Sequence, residues 1–177
     1  MVTTAVLAAT VVSGAFMAGN EAGIAFPEWP RMGGQWLPDW EDLWQPSLGW
    51  RNLTENITTV HLDHRMLAYT TLVCVDLVCL FGFLHRASLS PATRTALVTL
   101  FAGATAQASL GIATVLMSVP VDVAATHQAG SLALLTVAIT LLHTLRAPRR
   151  SALSESGRCA AAWRSVLRHR RYRKGFH

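Results

Sequence analysis

Residues 93–145 read TRTALVTLFAGATAQASLGIATVLMSVPVDVAATHQAGSLALLTVAITLLHTL. Two apolar runs, each longer than the roughly 20 residues a helix needs to cross hydrocarbon, are separated here only by Ser118, Val119 and Pro120. A proline suits the first turn of a helix and breaks an interior, so the stretch predicts a tight hairpin of two membrane spans, about 93 to 118 and 120 to 145. Outward from the hairpin, further runs at about 2 to 24 and 60 to 84 make four spans, with both chain ends on one side. The first run exceeds a signal-peptide core, lacks a basic start and passes Gly14, Gly19 and Gly23 without a convincing cleavage site, so it too is read as a span. The predicted fold class is all-α, an integral membrane four-helix bundle.

Composition agrees. The 177 residues have a mean hydropathy of +0.34 and only 14% charged side chains, against roughly 25% in soluble domains, which argues against an ordinary soluble enzyme. Cys74 and Cys79 sit in an apolar run and Cys159 in a basic tail, so the cysteines make no disulfide framework. The net charge of +5 is local: residues 146–177 hold ten of the fifteen Lys and Arg against the single acid Glu155. We therefore divide the chain into a bundle at 1–147 and a basic tail at 148–177. A basic tail beside a membrane sets topology, so no nucleic-acid partner is expected. With the His85, Arg86 and Arg94 loop, it should face the cytoplasm or matrix, leaving the long connection at about 25–59 on the outer side with Glu28, Asp39, Glu41, Asp42 and Glu55.

That connection carries Trp29, Trp36, Trp40, Trp44 and Trp50 among Gly and Pro, which reads equally as a belt at the headgroup level or as a lid over a ligand. Asn52-Leu53-Thr54 and Asn56-Ile57-Thr58 match the glycosylation sequon, a short and common motif. Gly103, Ala104, Ala106, Ala108, Gly111 and Ala113 make the third span suited to close helix packing. Gly-rich phosphate loops and Ser/His/Asp orders are missing from the sequence.

The chemistry is expected from two histidines. His64 lies in the first turns of the second span and His127 within about two turns of the start of the fourth, and both spans run inward. A single histidine near a helix end is usually a hydrogen-bonded or snorkelling side chain, but two at matching depth on parallel spans point to function. Two imidazoles facing each other across a bundle make the axial pair of a low-spin b-type haem. Asp63 and Gln128 are candidate partners of the two rings, Gly130 leaves room for a flat macrocycle, and Arg65 is suited to a haem propionate. Zinc on His61 and His64, an i, i+3 pair, is the rival, without an acidic or thiolate partner to complete it. Asp76, near mid-span, must be protonated, paired or functional. His85 and His143 read as interfacial.

Several motifs together resemble a known family. Gly14-Ala15-Phe16-Met17-Ala18-Gly19, Ala22-Gly23, Trp29-Pro30 and Met32-Gly33-Gly34-Gln35-Trp36 are similar to the start of the C-terminal half of haem A synthase of the mitochondrial and alphaproteobacterial type. So are Asp63-His64-Arg65 with Leu67-Ala68-Tyr69, Leu110 through Thr114, Val119-Pro120, and Ala124 through Ser131. The similarity runs from about 5 to 147 and leaves out the basic tail. It implies one half of an eight-span, two-bundle family, with His64 and His127 as the axial ligands of a haem b that relays electrons. The implied reaction oxidises the C8 methyl of haem O to the formyl of haem A, for cytochrome oxidase biogenesis. The implied setting is the mitochondrial inner membrane or a bacterial cytoplasmic membrane.

The sequence departs from the family at His61, where the substrate-binding half carries a glutamate, and at Asn20-Glu21 and Phe26-Pro27-Glu28. Since the similarity covers one bundle, the second is expected from another chain or a second copy, or the chain is a truncated product. Its catalytic residues are not identifiable. The rival functions are a non-enzymatic b-type cytochrome or haem carrier, and a structural membrane subunit.

Overall fold

A computed structural model describes residues 1–146. They belong almost wholly to one compact unit, Met1–Thr144. The predicted basic tail at 148–177 lies outside the described residues.

Four long apolar helices follow the predicted spans: α1 (Val2–Gly19), α5 (Ile57–Leu84), α6 (Pro91–Leu116) and α7 (Val121–Arg146). Between the first two lie α2 (Ala22–Ala25), α3 (Trp40–Leu43) and α4 (Asn52–Glu55), each one turn long. The described residues form no strand beyond an isolated bridge between Met32 and Gln35. Large apolar side chains such as Val73, Leu77, Phe81, Val98 and Ile139 stay exposed on the bundle surface, as lipid-facing helices require.

Local chemistry sets the ends. α1 stops at Gly19, short of the expected 24, because the Asn20 side chain caps it by donating to the Phe16 carbonyl and Glu21 turns left-handed at φ 51°. α5 starts three residues before the expected 60 because Asn56 caps it, Oδ1 accepting from the Thr58 and Thr59 amides at 3.0 and 3.4 Å. Pro91 opens α6 behind the cap of Ser90, whose hydroxyl accepts from the Thr93 amide at 3.1 Å. At the hairpin, the Ser118 amide donates to the Val115 carbonyl and the Val119 amide to that of Thr114, a Schellman closure with both residues left-handed. Left-handed valine is costly. Its side chain seats over Gly23, where a Cβ would stand 2.9 Å from Val119 Cγ2.

The core joins Leu7 of α1, Val75 of α5, Leu97, Leu100 and Ala104 of α6, and Leu134, Ala138 and Leu141 of α7. α1 lies closely along α5. Helices α6 and α7 meet at small residues: a Cβ on Gly103 would stand 3.0 Å from Leu134 Cδ1.

The long connection between α1 and α5 is tied down by polar groups. Met32 and Gln35 exchange main-chain hydrogen bonds across Gly33 and Gly34, both at positive φ, a two-residue turn of the kind glycine favours. Arg65 of α5 donates to the carbonyls of Glu28, Pro30 and Arg31. The sequon asparagines form a knot. Asn52 is fully buried; its amide nitrogen donates to the Gln45 and Gly49 carbonyls, and its oxygen accepts from the Gln45 amide and from Asn56. Asn56 also donates to the Asp42 carbonyl, and Thr59 to that of Leu43. Both amide nitrogens are thus committed to the interior, and the sequons are structural. The Arg51–Glu55 ion pair is exposed; it holds the Glu55 carboxyl below its ordinary range and adds little stability. Trp36, Trp40 and Trp50 expose most of their rings, which suits a headgroup-level belt.

Asn52→Ala removes four hydrogen bonds and strands buried main-chain groups, so it should cost about 2–4 kcal/mol. Thermal unfolding in detergent, with proteolysis of residues 25–56 as a local reporter, checks this; an unchanged midpoint would show that the knot is not needed.

Candidate functional site

His64 is the eighth residue of α5 and His127 the seventh of α7. At 1.5 Å per residue both lie about 9–11 Å along the axis from the N-terminal ends of their helices. The structure therefore sets the two residues on which the sequence reading placed the chemistry at matching positions in their helices.

Each ring is held by the helix beside it. His64 Nδ1 is 2.8 Å from the hydroxyl of Ser13 in α1, and the ring lies on Gly14, where a Cβ would stand 3.3 Å from Cε1. His127 Nδ1 is 3.0 Å from Nε2 of Gln107 in α6, which also donates to the His127 carbonyl. That ring lies on Gly111, where a Cβ would stand 2.8 Å from Cε1. Both sites lay an imidazole on a glycine with a polar side chain at Nδ1, a hydroxyl at His64 and a donating amide nitrogen at His127.

The other predicted neighbours are placed differently. Asp63 lines a groove between α1 and α5 together with Ala9, Val12, Met66 and Thr70, and Gln128 is exposed, so the ring partners are Ser13 and Gln107. Gly130 makes room for the Gln107 amide, whose oxygen a Cβ there would strike. Arg65 is engaged by three loop carbonyls. Asp76 lies on the exposed surface of α5, and so does His143 on α7. Ser13 and Gln107 escaped the sequence reading, although a polar side chain inside an apolar span is itself a signal.

His61 is fully buried, with Nδ1 3.0 Å from the Ala22 carbonyl and the Phe26 ring edge-on at 5.6 Å. A carbonyl only accepts, so Nδ1 carries the proton and Nε2 is left as a buried acceptor without a partner. Among the described residues no group of three or more His, Cys, Asp or Glu side chains converges, so the His61 and His64 pair lacks a third zinc ligand. Two imidazoles from two helices, each laid on a glycine, are instead the donor set suited to a flat group.

The two glycines differ measurably. Alanine is favoured over glycine in a helix by about 0.8–1.0 kcal/mol, while overpacking a tight site costs about 1–3 kcal/mol. Gly111→Ala should therefore destabilise, by up to about 2 kcal/mol, whereas Gly14→Ala should be near neutral. Thermal unfolding of the two variants side by side tests the order, and the reverse order would mean the ring contacts do not govern these positions.

Comparison with known proteins places the arrangement. A family model described as cytochrome oxidase assembly protein, COX15-CtaA, matches residues 1–139. The chain is 46% identical over 145 residues to heme A synthase COX15 of Arabidopsis thaliana, covering 81% of this chain and 31% of that protein. It is 47% identical over 137 residues to the Homo sapiens protein of the same name, covering 77% and 32%. Against heme A synthase of Paracoccus denitrificans it is 38% identical over 138 residues, covering 78% and 35%. The chain thus spans about a third of the length of these curated relatives. No solved structure matches it. On the family match and these identities, the chain belongs to the COX15-CtaA family of cytochrome oxidase assembly proteins.

Proposed function

We propose that this chain is a haem b-binding bundle that takes part in haem A synthesis, with His64 and His127 as the axial ligands. The observation that carries the reading is the pair of imidazoles, each two turns into its helix, each with Nδ1 engaged by a neighbouring helix and each laid on a glycine. Haem b held there supplies one-electron transfer. The protein's own part is to fix both rings before the group arrives, to keep the site dry within the bundle, and to close it on the outer side with the connection that Arg65 and Asn56 tie down. Arg65 spends three of its five N–H donors on the loop, leaving two for a propionate.

The relatives are named heme A synthase, and the activity proposed here is participation in that synthesis: oxidation of the haem O C8 methyl to the formyl of haem A, with this bundle relaying the electrons. The chain spans a third of those proteins, and the substrate-binding bundle is proposed to lie outside residues 1–177. The membrane is the mitochondrial inner membrane or a bacterial cytoplasmic membrane.

The test is a reduced-minus-oxidised and pyridine haemochrome spectrum of the full chain purified in detergent with haem supplied. Wild type should show a low-spin b-type spectrum, His64→Ala and His127→Ala should each abolish it, and His61→Ala should leave it nearly intact. Loss on His61→Ala alone would overturn the ligand assignment. Co-expression with a chain bearing the other bundle should then yield haem A by chromatography, and its absence would favour an electron-transfer cytochrome.

A further inference from the structure

Hydrogen-bond bookkeeping around Ser13 goes further than ligand identity. The serine hydroxyl has one proton and two neighbours: the Thr10 carbonyl at 2.8 Å, to which it donates, and His64 Nδ1 at 2.8 Å. A carbonyl cannot donate, so both contacts are satisfied only when the hydroxyl proton goes to Thr10 and Nδ1–H of His64 donates to the hydroxyl. That choice leaves the lone pair on Nε2, the form of histidine that binds a metal through that atom. Ser13 itself is not free to move. One turn earlier on the same helix, the Thr10 hydroxyl contacts the Leu67 carbonyl at 3.2 Å and the Thr71 hydroxyl at 2.8 Å, which pins this face of α1 to α5. Gly14 completes the seat by letting the ring lie against the helix.

We propose that Ser13 is a positioning residue that sets the tautomer, the ring angle and the donor strength of His64. The inference rests on the haem reading above and deepens it. An acceptor at Nδ1 adds electron density to the imidazole, and a stronger donor stabilises ferric over ferrous iron, so the hydroxyl should hold the midpoint potential down. At His127 the Gln107 amide nitrogen donates to Nδ1, so that ring carries its proton on Nε2 and must give it up when iron binds; the two ligands are therefore not equivalent, and α1 acts on one of them alone.

The experiment compares wild type, Ser13→Ala and Ser13→Thr, each as the full chain with haem, by redox titration and by the rate of haem transfer to apomyoglobin. Alanine favours helix, so Ser13→Ala should fold. It should raise the midpoint potential and weaken haem retention about tenfold, and Ser13→Thr, which restores the hydroxyl, should return both toward wild type. Complete haem loss in Ser13→Ala that threonine reverses supports the same role. A potential and retention unchanged in Ser13→Ala, or a loss that threonine does not reverse, overturns it. Wild type without any low-spin haem would overturn the haem reading itself. A histidine NMR spectrum of the haem-free protein then judges the tautomer alone: protonated Nδ1 on His64 upholds the bookkeeping, and protonated Nε2 refutes it.

Discussion

Inside hydrocarbon there is no water to meet a polar atom, so every buried donor and acceptor must find its partner in the protein. In this bundle that requirement decides where the helices touch. Thr10 and Ser13 of α1 face α5 because Leu67, Thr71 and His64 are the partners available there. Gln107 of α6 turns toward α7 because His127 and its carbonyl stand opposite. The apolar side chains choose less, since lipid solvates them about as well as a neighbouring helix does. Hydrogen bonds thus fix the register, and packing at glycine fills in around them.

Glycine works with them as the complement of a large side chain. Gly14, Gly103, Gly111 and Gly130 receive, in order, the His64 ring, Leu134, the His127 ring and the Gln107 amide. Along the α6 and α7 pair the glycine comes in turn from α6, α7 and α6: Gly103, Gly130 and Gly111. Sliding one helix along the other would lift at least one large group off its glycine and onto a Cβ, so the pair has one good register.

Much of this was legible in the sequence, and the limits have physical causes. The four spans were visible because hydrophobic length is a property of consecutive residues, and the histidine pair because depth follows from counting along a helix. The ends were off by a few residues where a side chain overrode hydropathy, as Asn20 does for α1 and Asn56 for α5. Ser13 and Gln107 were missed because their roles depend on residues 51 and 20 positions away. Asp63 and Gln128 drew attention as neighbours in sequence, but adjacent helical residues point about 100° apart and seldom share a partner. Asn52 and Asn56 match a surface motif, and only the fold shows both amides turned inward.

The asparagine knot has one further property: all its bonds span short stretches of chain, the longest joining Thr59 to Leu43 across sixteen residues. The entropy of closing such loops is modest and grows only slowly with their length. None of these bonds involves α6 or α7. The N-terminal end of α5 can therefore acquire its cap without the last two spans, and the helix that carries His64 can be anchored independently of the helix that carries His127.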